Sequence, residues 1–321
     1  MEALFLYTSM MTSFWQKLPR PFFVLAPMEA VTDIVFRHVV ARAAAPDVYM
    51  TEFTNATSFC SPKGEPSTRG RLAFSPDEQP MVAQIWGTNP EHFATMSHAL
   101  AEKGFAGIDI NMGCPDRHIV RGGSCSALIE NPSLAAELIA AAKTSGLPVS
   151  VKTRTGFKVE KTEEWCGFLL QQDLAALSLH ARTQKDMSNV PARWQEVGKA
   201  VRLRNQLAPE TIIIGNGDVE NRQHGEALAA EYGVDGVMIG RGVFHNPFAF
   251  EKTPREHSKQ ELLNLLNYQL DLFDQQPPRA FNPLKRFFKI YVRDFAGAAD
   301  LRAQLMETKT TSEARVVLAA T

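Results

Sequence analysis

The chain has 321 residues, enough for one large domain and a small one, with 45% hydrophobic and 21% charged residues and a mean hydropathy of -0.17. Those proportions exclude a protein of several membrane spans and a chain disordered throughout. With 34 basic and 35 acidic residues the net charge is -1, which excludes a uniformly basic nucleic-acid binder and leaves room for a localised basic face.

Residues 1–20 read as an N-terminal extension. They are apolar in patches but lack a basic leader, a small-residue cleavage site or an unbroken run near 18 residues, so no secretion or anchoring signal is expected. Met10 and Met11 make the first ten or so residues a candidate upstream start that adds nothing to the fold. Cys60, Cys114, Cys125 and Cys166 are too scattered for a zinc clip and too few for a disulfide scaffold, which predicts a reduced, cytoplasmic protein without a bound metal.

From residue 21 to 250, short β-rich runs alternate with stretches of helical spacing, the pattern of βα units around a parallel sheet. Eight runs are predicted: Phe22 to Ala26, Val48 to Phe53, Met81 to Trp86, Gly107 to Asn111, Val149 to Thr153, Ala175 to His180, Thr211 to Asn216 and Gly236 to Ile239. Glu91 to Lys103 and Pro132 to Lys143 carry amphipathic spacing, the second with Asn131 as its N-cap. Eight units in this length predict an α/β fold, a (β/α)8 TIM barrel, with a doubly wound open sheet as the alternative. The Ser-, Pro- and charge-rich stretch from Asn55 to Gln79 reads as a functional loop. Beyond Pro254 only helices are expected, at Lys259 to Phe273, Pro283 to Phe295, Ala298 to Met306 and Thr311 to Ala320. Residues 251–321 therefore read as a small all-helical C-terminal domain.

Strand ends of a barrel converge on one mouth, where active sites are built. Asn111 and Cys114 stand at such an end in Asn-Met-Gly-Cys-Pro; a thiol with an ordinary pKa of about 8.5 can serve there as nucleophile or proton donor. Lys152 and Arg154 alternate along one strand end and share a face, either in a salt-bridged interior or toward an anionic cofactor or substrate. His180 and Arg182 close the sixth run. Asn216-Gly217-Asp218 and Gly240-Arg241-Gly242 follow the seventh and eighth, where barrels commonly cradle phosphate. Together with Gln84 these residues suit flavin mononucleotide (FMN), whereas dinucleotide and P-loop glycine motifs are missing.

These blocks, with Ala26-Pro-Met-Glu-Ala-Val-Thr-Asp33 and Leu284-Lys-Arg-Phe-Phe-Lys-Ile-Tyr-Val-Arg293, occur in an order that resembles the tRNA-dihydrouridine synthases over about residues 21 to 315. The resemblance implies FMN-dependent reduction of the uracil C5–C6 bond in tRNA, with NADPH as reductant. It makes Cys114 the proton donor to C5 and Asn111 the reader of the uracil edge. It makes Pro27, Met28, Glu29, Gln84, Lys152, His180, Asn216, Gly217, Asp218, Gly240 and Arg241 flavin contacts, and gives Arg154 and Arg182 to substrate. Ala30 and Ala181 stand where the family commonly has Gly, and Asp116-Arg117-His118 where a Lys is frequent; His118 reads as a solvent-side residue. Cys60, Cys125 and Cys166 read as structural.

A tRNA partner needs phosphate contacts. From Glu251 onward 11 basic and 9 acidic residues give +2, against 23 and 26, or -3, before it. On a continuous helix Lys285, Lys289 and Arg293 would share one face and form the tRNA-binding stripe. A monomer is expected. Two other readings remain: an FMN barrel acting on a free small molecule such as dihydroorotate or a pyrimidine, and a non-catalytic RNA binder.

Overall fold

The computed structural model describes residues 13–277 and 279–320. The expectation for residues 1–12 lies outside them. Nine strands form one parallel sheet: β1 (Phe22–Leu25), β2 (Tyr49–Met50), β3 (Thr54–Asn55), β4 (Met81–Trp86), β5 (Gly107–Met112), β6 (Val149–Arg154), β7 (Ala176–His180), β8 (Ile212–Asn216) and β9 (Gly236–Ile239). The order is β1-β9-β8-β7-β6-β5-β4-β2, with a parallel bridge from Val24 to Val48 that closes the ring. Eight strands thus make a TIM barrel, and two-residue β3 pairs with the end of β4. The second predicted run is interrupted because Glu52 and Phe53 turn out of the ladder before Thr54 rejoins it.

The longer barrel helices pack outside the ring on the outward-facing strand residues, and four short ones of four or five residues stand in the loops at its mouth. They are α1 (Ile34–Ala44), α2 (Ala56–Phe59), α3 (Glu65–Arg69), α4 (Pro90–Glu102), α5 (Arg117–Arg121), α6 (Pro132–Lys143), α7 (Thr162–Leu170), α8 (Trp194–Leu207), α9 (Arg222–Tyr232) and α10 (Gly242–His245). Prolines open α4 and α6, and the Asn89 and Asn131 side chains accept the amides of His92 and Leu134. That is the start expected where proline lacks the N–H a helix cannot use.

Inside the ring the strands alternate, and the interior is two-sided. Phe22, Val24, Met50, Ile212, Ile214 and Met238 fill one side with hydrocarbon. Residues 13–20 are more than an appendage: Trp15, fully buried in a 3-10 turn at Phe14–Lys17, packs on Phe22 and closes this end of the barrel. Gly236 is required there, because a Cβ would stand 2.5 Å from the Phe22 ring.

The long segment after β3 folds into α2, α3 and a 3-10 turn at Pro76–Glu78. Buried Arg37 holds it against α1, donating from Nε to Glu78 Oε1 at 2.6 Å, from Nη1 to Thr32 O and from Nη2 to Ala73 O.

After the barrel come α11 (Lys259–Asp274), α12 (Phe288–Tyr291), α13 (Ala298–Glu307) and α14 (Thr311–Ala319). A Ser258–Glu261 capping box starts α11, and its buried Leu263, Leu266 and Leu270 join an apolar cluster continuous with the barrel helices. The helix expected over Pro283 to Phe295 is broken. A 3-10 segment, Asn282–Phe287, precedes the single turn of α12, and Val292 leaves the helical region. Three residues per turn put buried Leu284 and Phe287 on one line, which a continuous α-helix would splay. The basic stripe is lost with it. Lys285 Nζ donates to Met306 O at 2.6 Å, and Arg293 binds His245 O and Asp294. Of the three, Lys289 projects to solvent.

Candidate active site

Register sets the polar side of the interior. Gln84 pairs across to Asp109 and Asp109 to Ser150; one layer higher Asn111 pairs with Lys152 and Lys152 with Ser178; at the rim Arg154 pairs with His180 and His180 with Asn216. A parallel ladder places such partners on the same face of the sheet.

The lower layer is a continuous hydrogen-bond chain. Ser150 Oγ and Gln84 Nε2 donate to the two Asp109 carboxylate oxygens at 2.6 and 2.7 Å, and Asn111 Nδ2 donates to Gln84 Oε1 at 3.0 Å. Burial pushes the Asp109 carboxyl up to about 6 against the pull of Ser150, Gln84 and Lys152. Asn111 Oδ1 then accepts the amides of Gly113 and Cys114 at 3.0 and 2.9 Å. Gln84 and Asn111 are buried and line neither cavity described next.

A cavity of about 750 Å³ opens at the carboxyl ends of β6 to β9 and β1. Pro27, Met28, Lys152, His180, Asn216, Gly217, Asp218, Gly240 and Arg241 line it as grouped from the sequence, and Arg182 lies in the same wall. Ser188, Glu220, Asn221, His245 and Asn246 also line it, on loops and the end of α10, where no sequence pattern singled them out. Asp218 ties its cations together, accepting from Arg182 Nη2 at 2.5 Å, Arg241 Nη2 at 2.9 Å and the Ala192 amide at 2.9 Å. Burial alone would raise its pKa, but the Arg182 and Ala192 bonds outweigh it and hold the carboxylate ionised. The turn needs Gly217, whose φ is +128° and whose Cβ would stand 2.8 Å from that of Ala192.

Arg182 Nη1 lies 3.2 Å from His180 Nε2, which must therefore accept, leaving the ring proton on Nδ1. Burial, then Arg154, Lys152 and the other cations, drive the His180 pKa well below its ordinary value, so the ring is neutral. Lys152 is drawn down to about 8 by burial and by Arg154, opposed by Asp109 and Cys114. Among the described residues its ammonium has no hydrogen-bond partner, so it meets the cavity as an available donor.

A second cavity, about 430 Å³, holds Cys114 and Asp116 with Phe53, Trp86 and the Arg71–Glu29 ion pair. Glu29, grouped with the flavin contacts, is therefore on the thiol's side of the mouth. Cys114 is drawn down to about 7, first by a hydrogen bond from the Cys125 thiol, against burial, and with help from the Asp116 amide and Arg154. Ser126 anchors the same turn through Oγ to Cys114 O at 2.8 Å. Cys125 is buried, sits at φ 55° and is itself pushed far up by burial and by Cys114. Its part was missed; the cue available was a second Cys beyond Gly122-Gly123.

Arg154 does not reach into either cavity. Nearly fully buried, it spends its guanidinium on backbone carbonyls, with Nε on Gly113 O at 2.7 Å and Nη1 on Thr183 O and Met187 O at 2.9 and 2.8 Å.

A family model described as Dihydrouridine synthase (Dus) matches residues 24–320. The chain belongs to the dihydrouridine synthase family. It is 56% identical over 313 residues to a protein of Bacillus subtilis (strain 168) named probable tRNA-dihydrouridine synthase 2, covering 96% of each chain. A probable tRNA-dihydrouridine synthase of Staphylococcus epidermidis (strain ATCC 12228 / FDA PCI 1200) is also 56% identical, again over 96% of both. Among solved structures, a variant of NCR from Zymomonas mobilis superposes with a TM-score of 0.50 at 15% identity, covering 73% of this chain and 87% of that one. Histamine dehydrogenase from Rhizobium sp. 4-9 gives 0.53 at 12% identity over 77% and 46%. These two share the barrel fold. Membership of the dihydrouridine synthase family makes the protein an oxidoreductase acting on uridine in tRNA. Among the described residues, no helix is long and apolar enough to cross a membrane, and no group of three or more His, Cys, Asp or Glu could hold a metal.

Proposed function

We propose that the protein reduces specific tRNA uridines to 5,6-dihydrouridine with FMN as bound cofactor and NADPH as reductant. The observation that carries this reading is the pairing, at one barrel mouth, of a cation-lined cavity with a second one built around Cys114. The first cavity suits an anionic flavin nucleotide: its size is that of a small-ligand site, and its wall holds half-buried Lys152, whose ammonium has no partner among the described residues, beside Arg182 and Arg241. FMN bound there would supply hydride to uracil C6. Lys152 would hold negative charge on the ring, His180 would donate from Nδ1, and the Gly217 and Gly240 turns with Arg241 would take the phosphate.

Cys114 would deliver a proton to uracil C5 from Sγ. A thiol with a pKa about 7 is close to the optimum for proton transfer at neutral pH. Asn111 fixes where that thiol stands. Trp86 and Phe53 would wall the flat base, and Arg71 with Glu29 offer polar groups to its edge. Residues 251–321 would add RNA contacts through exposed Arg286 and Lys289.

The test is Cys114→Ala. The variant should retain FMN and its reduction by NADPH while losing most dihydrouridine formation on unmodified tRNA; full tRNA activity would remove Cys114 from the proton-donor role.

A further inference from the structure

The loops after β5, β6 and β7 are bound to one another beside Cys114. Arg154 bridges the first and third through Gly113 O, Thr183 O and Met187 O. Gln184 Nε2 reaches Pro115 O at 3.4 Å, and the Lys185 amide donates to Phe157 O at 3.0 Å. They form one surface at the edge of the Cys114 cavity, which Asp116 and Ile119 of the first loop help to line.

The acids of this surface are engaged. Asp116 Oδ1 accepts the amides of His118 and Ile119, and Glu160 and Asp186 both pair with Arg193. The bases are not. Arg117, Arg121, Lys158 and Lys185 are exposed, and among the described residues none of their side chains has a hydrogen-bond or ion-pair partner. Arg117 and Arg121 stand one turn apart on α5, roughly 5–6 Å between Cβ atoms. Unpaired cations grouped at the rim of a pocket attract polyanions, whereas Lys285 and Arg293 are held on protein carbonyls.

We propose that this rim of Arg117, Arg121, Lys158 and Lys185 binds the backbone phosphates of the tRNA strand on either side of the target uridine. The proposal rests on the reading of the Cys114 cavity as the uridine site. A base that enters a pocket must leave its stack, so its own backbone and that of its neighbours stay at the pocket's edge. Cations there neutralise those phosphates with release of counterions.

The experiment compares the flavin-loaded wild type with R117A/R121A, K158A/K185A, the charge-keeping R117K/R121K and K285A/K289A, using an unmodified tRNA transcript. Binding is titrated from about 50 to 200 mM salt, and dihydrouridine formation and KM for NADPH are measured alongside. Each rim alanine pair should weaken tRNA binding at least about fivefold and flatten the salt slope by about one to two units. FMN content and kcat at saturating tRNA should be unchanged, R117K/R121K should recover most affinity, and K285A/K289A should change it less than the rim pairs. Unchanged affinity and slope in both rim pairs, with the wild type active, would overturn the rim and leave the proposed function standing. A raised KM for NADPH at unchanged tRNA affinity would also overturn it, by giving the cations to the reductant's phosphates. Rim-dependent tRNA binding by a wild type that leaves uridine unreduced would support the rim and overturn the reading of the cavity.

Discussion

Asn111 holds Cys114 by its backbone: the amide oxygen of Asn111 accepts the Cys114 N–H at 2.9 Å and shares its second lone pair with the Gly113 N–H. Because Asn111 is in turn fixed through Gln84 and Asp109 to Ser150, the thiol's position is set by a chain that crosses three strands.

Asn111→Ala should therefore act on the thiol's placement. It leaves two amides without their acceptor, each costing about 1–3 kcal/mol when shielded from water. Single-turnover dihydrouridine formation is expected to fall at least tenfold, as about 1.4 kcal/mol of misplacement suffices for that, while FMN content stays native. A native rate would mean that the Gly-Cys-Pro turn holds itself.

Cys125→Ala should shift a pH profile. Cys114 can donate only while protonated, and its pKa is about 7, so uridine reduction by the wild type should decline as pH rises through that value. Removing the Cys125 hydrogen bond removes the largest lowering influence, so the decline should move to higher pH. Alkylation of Cys114 by iodoacetamide, followed by peptide mass spectrometry against pH, should move in the same direction. An unmoved profile would show that Cys125 does not tune the thiol.

Lys152→Met should weaken flavin retention. The Lys152 ammonium is charged below its pKa of about 8 and neutral above it, so wild-type affinity for FMN should fall as pH rises through about 8. In the Met variant that step should vanish and the affinity at pH 7 should be at least about tenfold lower, the scale of one charge-assisted hydrogen bond. Quenching of flavin fluorescence on titration measures both.

Glu78→Gln should destabilise the fold by about 3–5 kcal/mol by leaving the fully buried Arg37 guanidinium uncompensated. Burial raises the Glu78 pKa, but His38 and Arg37 outweigh it and hold the carboxyl at about 2. A depressed folded-state pKa gives stability that is complete above the ordinary value of 4.5 and is lost as pH falls through about 2. Thermal unfolding at pH 7 and pH 3 should show the variant's deficit shrinking with acidity; a constant deficit would mean that packing, and not charge, is lost.

The strands and the mouth were legible because each depends on local pattern. Thr211 to Asn216 and Gly236 to Ile239 read as short apolar runs that end in Asn or meet Gly240, and they hold the barrel strands Ile212–Asn216 and Gly236–Ile239 with those ends at the cavity. The helix over Pro283 to Phe295 failed for the opposite reason. Its basic spacing was regular, but Leu284, Phe287, Phe288, Ile290, Tyr291 and Val292 all had to be buried, and packing broke the helix to do so.

Lys152 and Arg154 show where sequence stops and tertiary structure begins. A two-residue period puts both on the inner face of β6, and that much the chain determines by itself. Which of them remains available to a ligand depends on the carbonyls of Gly113, Thr183 and Met187, delivered by loops far away in sequence, and on the absence of any such acceptor beside Lys152 among the described residues. A buried donor takes whatever acceptor the fold brings within reach. The covalent order of residues thus settled the barrel, its mouth and the polar face, and only the closed ring decided which side chains bind the protein to itself and which stay free to bind something else.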